Sequence, residues 1–147
     1  MNEKGIYVLI LRLHNDIDLT VGKLHELKFK SGFYAYAGSA LGTGGFKRVT
    51  RHFNVASGKN MTRKWHIDHL LPHTEVICAI LIQTDETLEC AVAKELAISL
   101  KVIPGFGCTD CRCKSHLFFS GTDIHKNVLN ICNCFSGNES IIIRPDI

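Results

Sequence analysis

The stretch "GFYAYAGSALGTGGFKRVTRHF", Gly32–Phe53, decides how the chain is read. It opens like a β-strand: Tyr34 and Tyr36 alternate with small residues, the period of two expected of a pleated segment. Gly38, Gly42, Gly44 and Gly45 then mark a loop. Phe46, Val49 and Phe53 fall at i, i+3 and i+7, one face of a helix from about Phe46 to Ala56. Lys47, Arg48, Arg51 and His52 fall off that line. The stretch therefore reads as strand, glycine loop and basic helix, with two tyrosines set close to a row of cations.

Upstream, "GIYVLILRL" (5–13) is rich in β-branched and aliphatic residues and reads as a buried strand. Preceded by Glu3 and followed by no small-residue cleavage site, it reads as a first strand and not as a signal peptide. "LTVGKLHELKF" (19–29) suggests a second extended segment, so that residues 5–39 form a meander of three strands. Downstream, "TRKWHIDHLL" suggests a helix capped by Thr62 and stopped by Pro72. "EVICAILIQT" reads as a central strand. "DETLECAVAKELAISL" is the clearest helix, with Thr84 or Asp85 as cap and a stripe of Leu88, Val92 and Leu96. "SHLFFS" suggests a short strand and "DIHKNVLNICNCF" a last helix, while "ESIIIRP" is open. The expected fold class is α+β: a small, largely antiparallel sheet flanked by helices.

The chain has 147 residues, the length of one domain, and the expectation is a single domain over 1–147 with a core over about 4–120 and an extension over 121–147. Apolar residues make up 46% and charged residues 21%, ordinary values for a folded protein. No apolar run approaches the roughly 20 residues that span a bilayer, so no membrane partner is expected. A net charge of +3 permits nucleic acid as a partner without demanding it. Seven cysteines with no secretory signal suggest the reducing cytoplasm and not a disulfide framework. Cys78 and Cys90 lie in apolar contexts and are expected to pack as small hydrophobes.

"GIY" at Gly5–Tyr7, "YAG" at Tyr36–Gly38 and a following helix with Arg48 together resemble the GIY-YIG nuclease superfamily. The stretches "KWHIDHLL", "LECAVA" and "PGFGCTDCRCKSHLFF" are similar to an archaeal branch of it, the Uri-type endonuclease-like proteins. The resemblance runs to about Ser120. There are departures. The second motif has alanine where the family has isoleucine, the two tyrosine motifs stand unusually far apart, and the family's late asparagine has no clear match.

The resemblance implies a metal-dependent endonuclease acting on DNA. It implies Tyr7 as general base, Tyr36 as its hydrogen-bonding neighbour, Arg48 as phosphate clamp and a glutamate holding one Mg2+ or Mn2+. These types suit the chemistry. Tyrosine, with a pKa near 10, needs help from a cation to act as a base. Mg2+ prefers a few carboxylate oxygens and water, and arginine offers a planar fork to phosphate. Glu89 is preferred as metal ligand because it falls at the border of the apolar stripe; Glu95, nearly over Leu88, is the alternative. Gly38 would let the strand turn sharply into the loop. Lys47, Arg51, His52, Arg63 and Lys64 are candidate phosphate contacts, or simply solvated groups.

"CTDCRCKSH" holds Cys108, Cys111, Cys113 and His116, donor types that suit zinc. C-x-C is tight for two ligands of one ion, and no second C-x2-C exists. The preferred reading is a structured loop whose Asp110 and Arg112 face the cleft. "WHIDH" sets His66 near Asp68, with His69 and His73 at i and i+4, either a metal site or ordinary solvated and capping groups. Two rivals to the nuclease are kept: a nucleic-acid-binding module of the same fold without turnover, and a zinc-stabilised interaction domain.

Overall fold

Strand β1 (Gly5–Leu13) is buried at every position except Arg12. That explains its unbroken apolar run, since a strand covered on both faces has no reason to alternate. In the computed structural model, which describes residues 4–22, 26–107, 115–137 and 140–145, β1 is interior to the sheet. The two-stranded unit β2 (Ile17–Thr20) and β3 (Glu26–Phe29) is a separate hairpin. β1 instead pairs directly with β4 (Gly32–Ala40) on one side and β5 (Glu75–Gln83) on the other.

The expected three-strand meander is thus corrected. Residues 17–29 divide near Gly22, whose φ of 53° suits a residue without Cβ, and the two halves pair with each other. The alternating exposure of β2 shows why, since it has only one apolar face to offer.

Three shorter strands complete the sheet: β6 (Lys101–Val102), β7 (Leu117–Ser120) and β8 (Ile141–Ile143). The order is β6-β7-β4-β1-β5-β8, antiparallel throughout. The fold is mixed α+β, as the element pattern implied. β8 joins the sheet through Ala79–Leu81, and α4 (His125–Ser136) buries Val128 and Cys132. Residues after 120 are therefore woven into the same core.

Tyr7, Leu9, Leu11 and Leu13 of β1, with Tyr34 and Tyr36 of β4, face α1 (Lys47–Ser57), α2 (His66–Leu70) and the 3-10 turn Leu71–His73. Ile6, Val8 and Ile10, with Ala35 and Ala37, face α3 (Glu89–Ser99) and α4. The sheet is the middle of three layers. Each fully buried aliphatic side chain in it contributes roughly 1.5–3 kcal/mol by leaving water.

Two helix starts differ from expectation. α2 begins at His66, not near Thr62, because the buried Asp68 carboxylate accepts the backbone N–H of Lys64 (2.7 Å) and Trp65 (2.9 Å) and caps the helix there. α3 begins at Glu89. The Thr84 hydroxyl accepts the Glu86 N–H in a local turn and does not cap the helix. Cys78 is buried as expected, whereas Cys90 is exposed and disulfide-bonded. Among the described residues, no helix is long and apolar enough to cross a membrane.

Candidate active site

Register places the two tyrosine motifs together. Tyr7 stands opposite Gly38, and Leu9 opposite Tyr36. Cross-strand partners share a face, so Tyr7 and Tyr36 point to the same side. Gly38 does not serve as a turn, contrary to expectation; it lies inside β4. A Cβ there would sit 2.3 Å from both Cζ and Oη of Tyr7, so the missing side chain is the space in which the Tyr7 ring lies.

Helix α1 closes over this ring. Its buried residues are Val49, His52 and Val55, a stripe at i, i+3 and i+6. His52 was expected to meet phosphate, but it is wholly buried and shares a 2.7 Å hydrogen bond between Nε2 and Tyr7 Oη. Its place between Val49 and Val55 is the signal that reveals it. Burial, then the Arg51 charge, push the His52 pKa down to about 3, so the ring is neutral. Its Nδ1 is buried and, among the described residues, has no hydrogen-bond partner.

That orphan atom bears on the tautomer. If Nε2 accepted the tyrosine proton, Nδ1–H would be a buried, unmet donor, costing about 1–3 kcal/mol. If Nε2–H donates to Tyr7 Oη, a lone pair goes unmet at Nδ1 and the Tyr7 O–H becomes the donor in need of an acceptor. The 2.7 Å separation fits both tautomers, and the second is the one in which the histidine does not hold the Tyr7 proton.

Arg48 approaches from the same helix. Its Nη1 donates to the Ser39 carbonyl (2.8 Å), and its guanidinium lies 4.8 Å from the Trp65 ring centroid. The Tyr7 pKa is raised well above its usual value, by burial first and then by Tyr36; Arg48 opposes the rise, Glu89 adds to it and Arg51 opposes it. The fields of Tyr36, Arg48 and Glu89 therefore meet at the Tyr7 hydroxyl.

Glu89 reaches this place from the opposite helical layer. At 100° per residue it lies on the face of Val92, Ala93 and Leu96, at its centre and not its border, because Leu88 precedes the helix. Its Oε1 lies 3.1 Å from Nδ1 of the buried His116, which precedes β7. Burial lowers the His116 pKa and raises that of Glu89, the latter opposed by Arg48. Both shifts disfavour the charged form, and the 3.1 Å contact has the geometry of an imidazole N–H donating to a carboxyl oxygen. Glu95, the alternative ligand, is exposed.

Among the described residues, Glu89 Oε2 has no hydrogen-bond or ion-pair partner. A half-buried carboxylate short of hydration is relieved by a cation, and Mg2+ accepts one protein carboxylate with water completing its shell. Among the described residues no group of three or more His, Cys, Asp or Glu side chains converges. Cys108, Asp110, Cys111, Arg112 and Cys113 lie outside the described residues.

The other candidates divide. Arg51 does not project to solvent as a phosphate contact; it forms a two-pronged pair with Asp68 (2.9 and 2.8 Å). Asp68 is buried, and its carboxyl is held below the usual range because Arg51 and the two capping amides outweigh burial. His66 Nδ1 accepts the Gly107 N–H (2.8 Å), tying α2 to the turn after β6. Lys47, Arg63 and Lys64 are exposed, as phosphate contacts require. Trp65, which sequence reading did not single out as functional, is the surface on which Arg48, Arg51 and Lys64 gather.

A family model described as Domain of unknown function DUF123 matches residues 6–136. The chain belongs to the DUF123 family. The match takes in the elements that carry Tyr7, Tyr36, Arg48, Glu89 and His116, so the candidate site lies within the DUF123 domain. No curated protein and no solved structure matches the chain.

Proposed function

We propose that this DUF123 domain is a nuclease of the GIY-YIG type that hydrolyses DNA phosphodiester bonds with the help of one Mg2+ or Mn2+. The observation that carries the reading is the meeting of Tyr7, Tyr36, Arg48 and Glu89 from four elements at one end of the sheet. Tyr7, as the phenolate left when its own proton has gone to solvent, takes the proton of the attacking water. The negative charge that Oη carries before that transfer is met by an Nε2–H of His52 and by Arg48. Arg48, fixed at Nη1 by Ser39, turns its remaining N–H groups to the phosphate oxygens. A bound divalent ion supplies positive charge and an acidified water. Glu89 would hold it, oriented by His116.

A second reading has its own support. Tyr7 is only 2% exposed and its hydroxyl is occupied by His52, an arrangement that also suits a nucleic-acid-binding module without turnover. The test is a panel of labelled DNA structures, single-stranded, flapped and branched, incubated with Mg2+ or Mn2+. The nuclease reading expects cleavage that Tyr7→Phe abolishes. Binding without cleavage of any substrate selects the module.

A further inference from the structure

Three cations gather on one indole. The Arg51 guanidinium lies 4.1 Å from the Trp65 ring centroid, Arg48 4.8 Å and the Lys64 ammonium 5.3 Å. They are not equivalent. Arg51 is neutralised by Asp68 through two hydrogen bonds. Arg48 donates only to a carbonyl, and neither Arg48 nor Lys64 has a carboxylate partner among the described residues. Among the described residues, the ring therefore carries two cations that form no ion pair. Glu89 acts on Arg48 through space and forms no ion pair with it among the described residues.

The platform is built and not incidental. Asp68 accepts the backbone N–H of both Lys64 and Trp65 and, with the same carboxylate, holds Arg51 against the indole. One buried anion thus fixes the backbone under Lys64, the plane of Trp65 and the arginine stacked on it. Both remaining cations lie within 5.3 Å of the indole centroid. Like charges drawn to one ring are stabilised by an anion that both can reach.

We infer that Arg48 and Lys64, mounted on Trp65, form a two-cation seat for a phosphate group, with Trp65 as the positioning residue. The inference rests on the nucleic-acid reading for its natural ligand, a phosphodiester, but the seat itself requires only a phosphate oxyanion. It gives Lys64 a part that a general basic surface would not. Arg63, its neighbour, donates to the Thr62 carbonyl and is not one of the cations that gather on the indole.

Trp65 is the only tryptophan, so its emission reports on the seat directly. Inorganic phosphate and a short labelled DNA oligonucleotide are titrated into the protein, reading Trp65 emission and oligonucleotide anisotropy together. The expected result is a saturable emission change with both ligands. Lys64→Ala should weaken oligonucleotide binding roughly three- to tenfold at low salt and lower the slope of log affinity against log salt by about one. By anisotropy, Trp65→Phe should bind nearly as wild type and Trp65→Ala more weakly. An oligonucleotide that binds with no change in Trp65 emission, and equally well to Lys64→Ala, overturns the seat and leaves the nucleic-acid reading standing. A phosphate response without oligonucleotide binding supports the seat and removes the nucleic-acid reading. No response to either ligand overturns both.

Discussion

His52 should make the stability of this domain unusually sensitive to mild acid. Burial and Arg51 hold its folded pKa at about 3, against about 6.5 for an unfolded histidine. The unfolded chain therefore binds a proton that the folded chain refuses. The neutral ring's contribution is complete above about pH 6.5 and is lost as pH falls from there toward about 3. At about 1.4 kcal/mol per pH interval, the loss is about 2 kcal/mol at pH 5 and approaches roughly 5 kcal/mol below pH 3. Against a total stability of about 5–15 kcal/mol, that is a large share.

Other groups titrate nearby. The lowered pKa values of His66 and His116 act in the same direction. The raised pKa of Glu89 acts oppositely, since its carboxylate is the disfavoured form when folded. Asp68, held below its usual value, matters only in stronger acid. The comparison that isolates His52 is with His52→Gln, which keeps a hydrogen-bonding amide near Tyr7 but cannot titrate. Urea unfolding at about pH 7.5 and about pH 5 should show wild type losing about 2 kcal/mol more than the variant between the two conditions. Equal losses, within about 0.5 kcal/mol, would refute the reasoning that His52 is buried as the neutral ring.

Three further outcomes are expected. Gly38→Ala should destabilise by about 1–3 kcal/mol in urea, because a Cβ 2.3 Å from Tyr7 Cζ forces the ring from its place; a neutral result would mean the ring does not lie across Gly38. Asp68→Asn should cost about 3 kcal/mol or more, since it leaves Arg51 without its counter-ion and weakens the cap of α2; thermal unfolding unchanged from wild type would contradict the assigned role. Glu89→Gln should abolish Mn2+ binding measured by calorimetry, while Glu95→Gln leaves it intact; the reverse pattern would move the metal site along α3.

The main elements were legible because their patterns are strong. β1 and β5 are continuous apolar runs, and Tyr34 and Tyr36 alternate as a strand should. Proximity of the tyrosine motifs to Arg48 could be read from the strand–loop–helix order. What escaped depended on long-range pairing. Nothing local tells residues 17–29 to fold back on themselves instead of joining β1. His52 was counted with the cations by its residue type, although its spacing from Val49 and Val55 places it inside. Arg51 likewise read as a free charge, because its partner Asp68 lies on another helix. Glu89 was set at a border by counting Leu88 as helical, one residue too early.

The central claim is that Arg48 acts on the scissile phosphate at the place where Tyr7 and Glu89 meet. The most direct measurement pairs single-turnover cleavage with equilibrium binding on one DNA substrate, for wild type, Arg48→Ala and Arg48→Lys. A clamp that gains strength as charge builds should cost roughly 3 kcal/mol in the chemical step when removed, about a hundredfold in rate. Binding should change far less, since Lys47 and Lys64 stay exposed nearby. Lysine should rescue only in part, because it keeps the charge and loses the planar fork. Equal losses of binding and cleavage in Arg48→Ala would make Arg48 a positioning contact, and wild-type protein that binds DNA but never cleaves it with Mg2+ or Mn2+ would contradict the nuclease account.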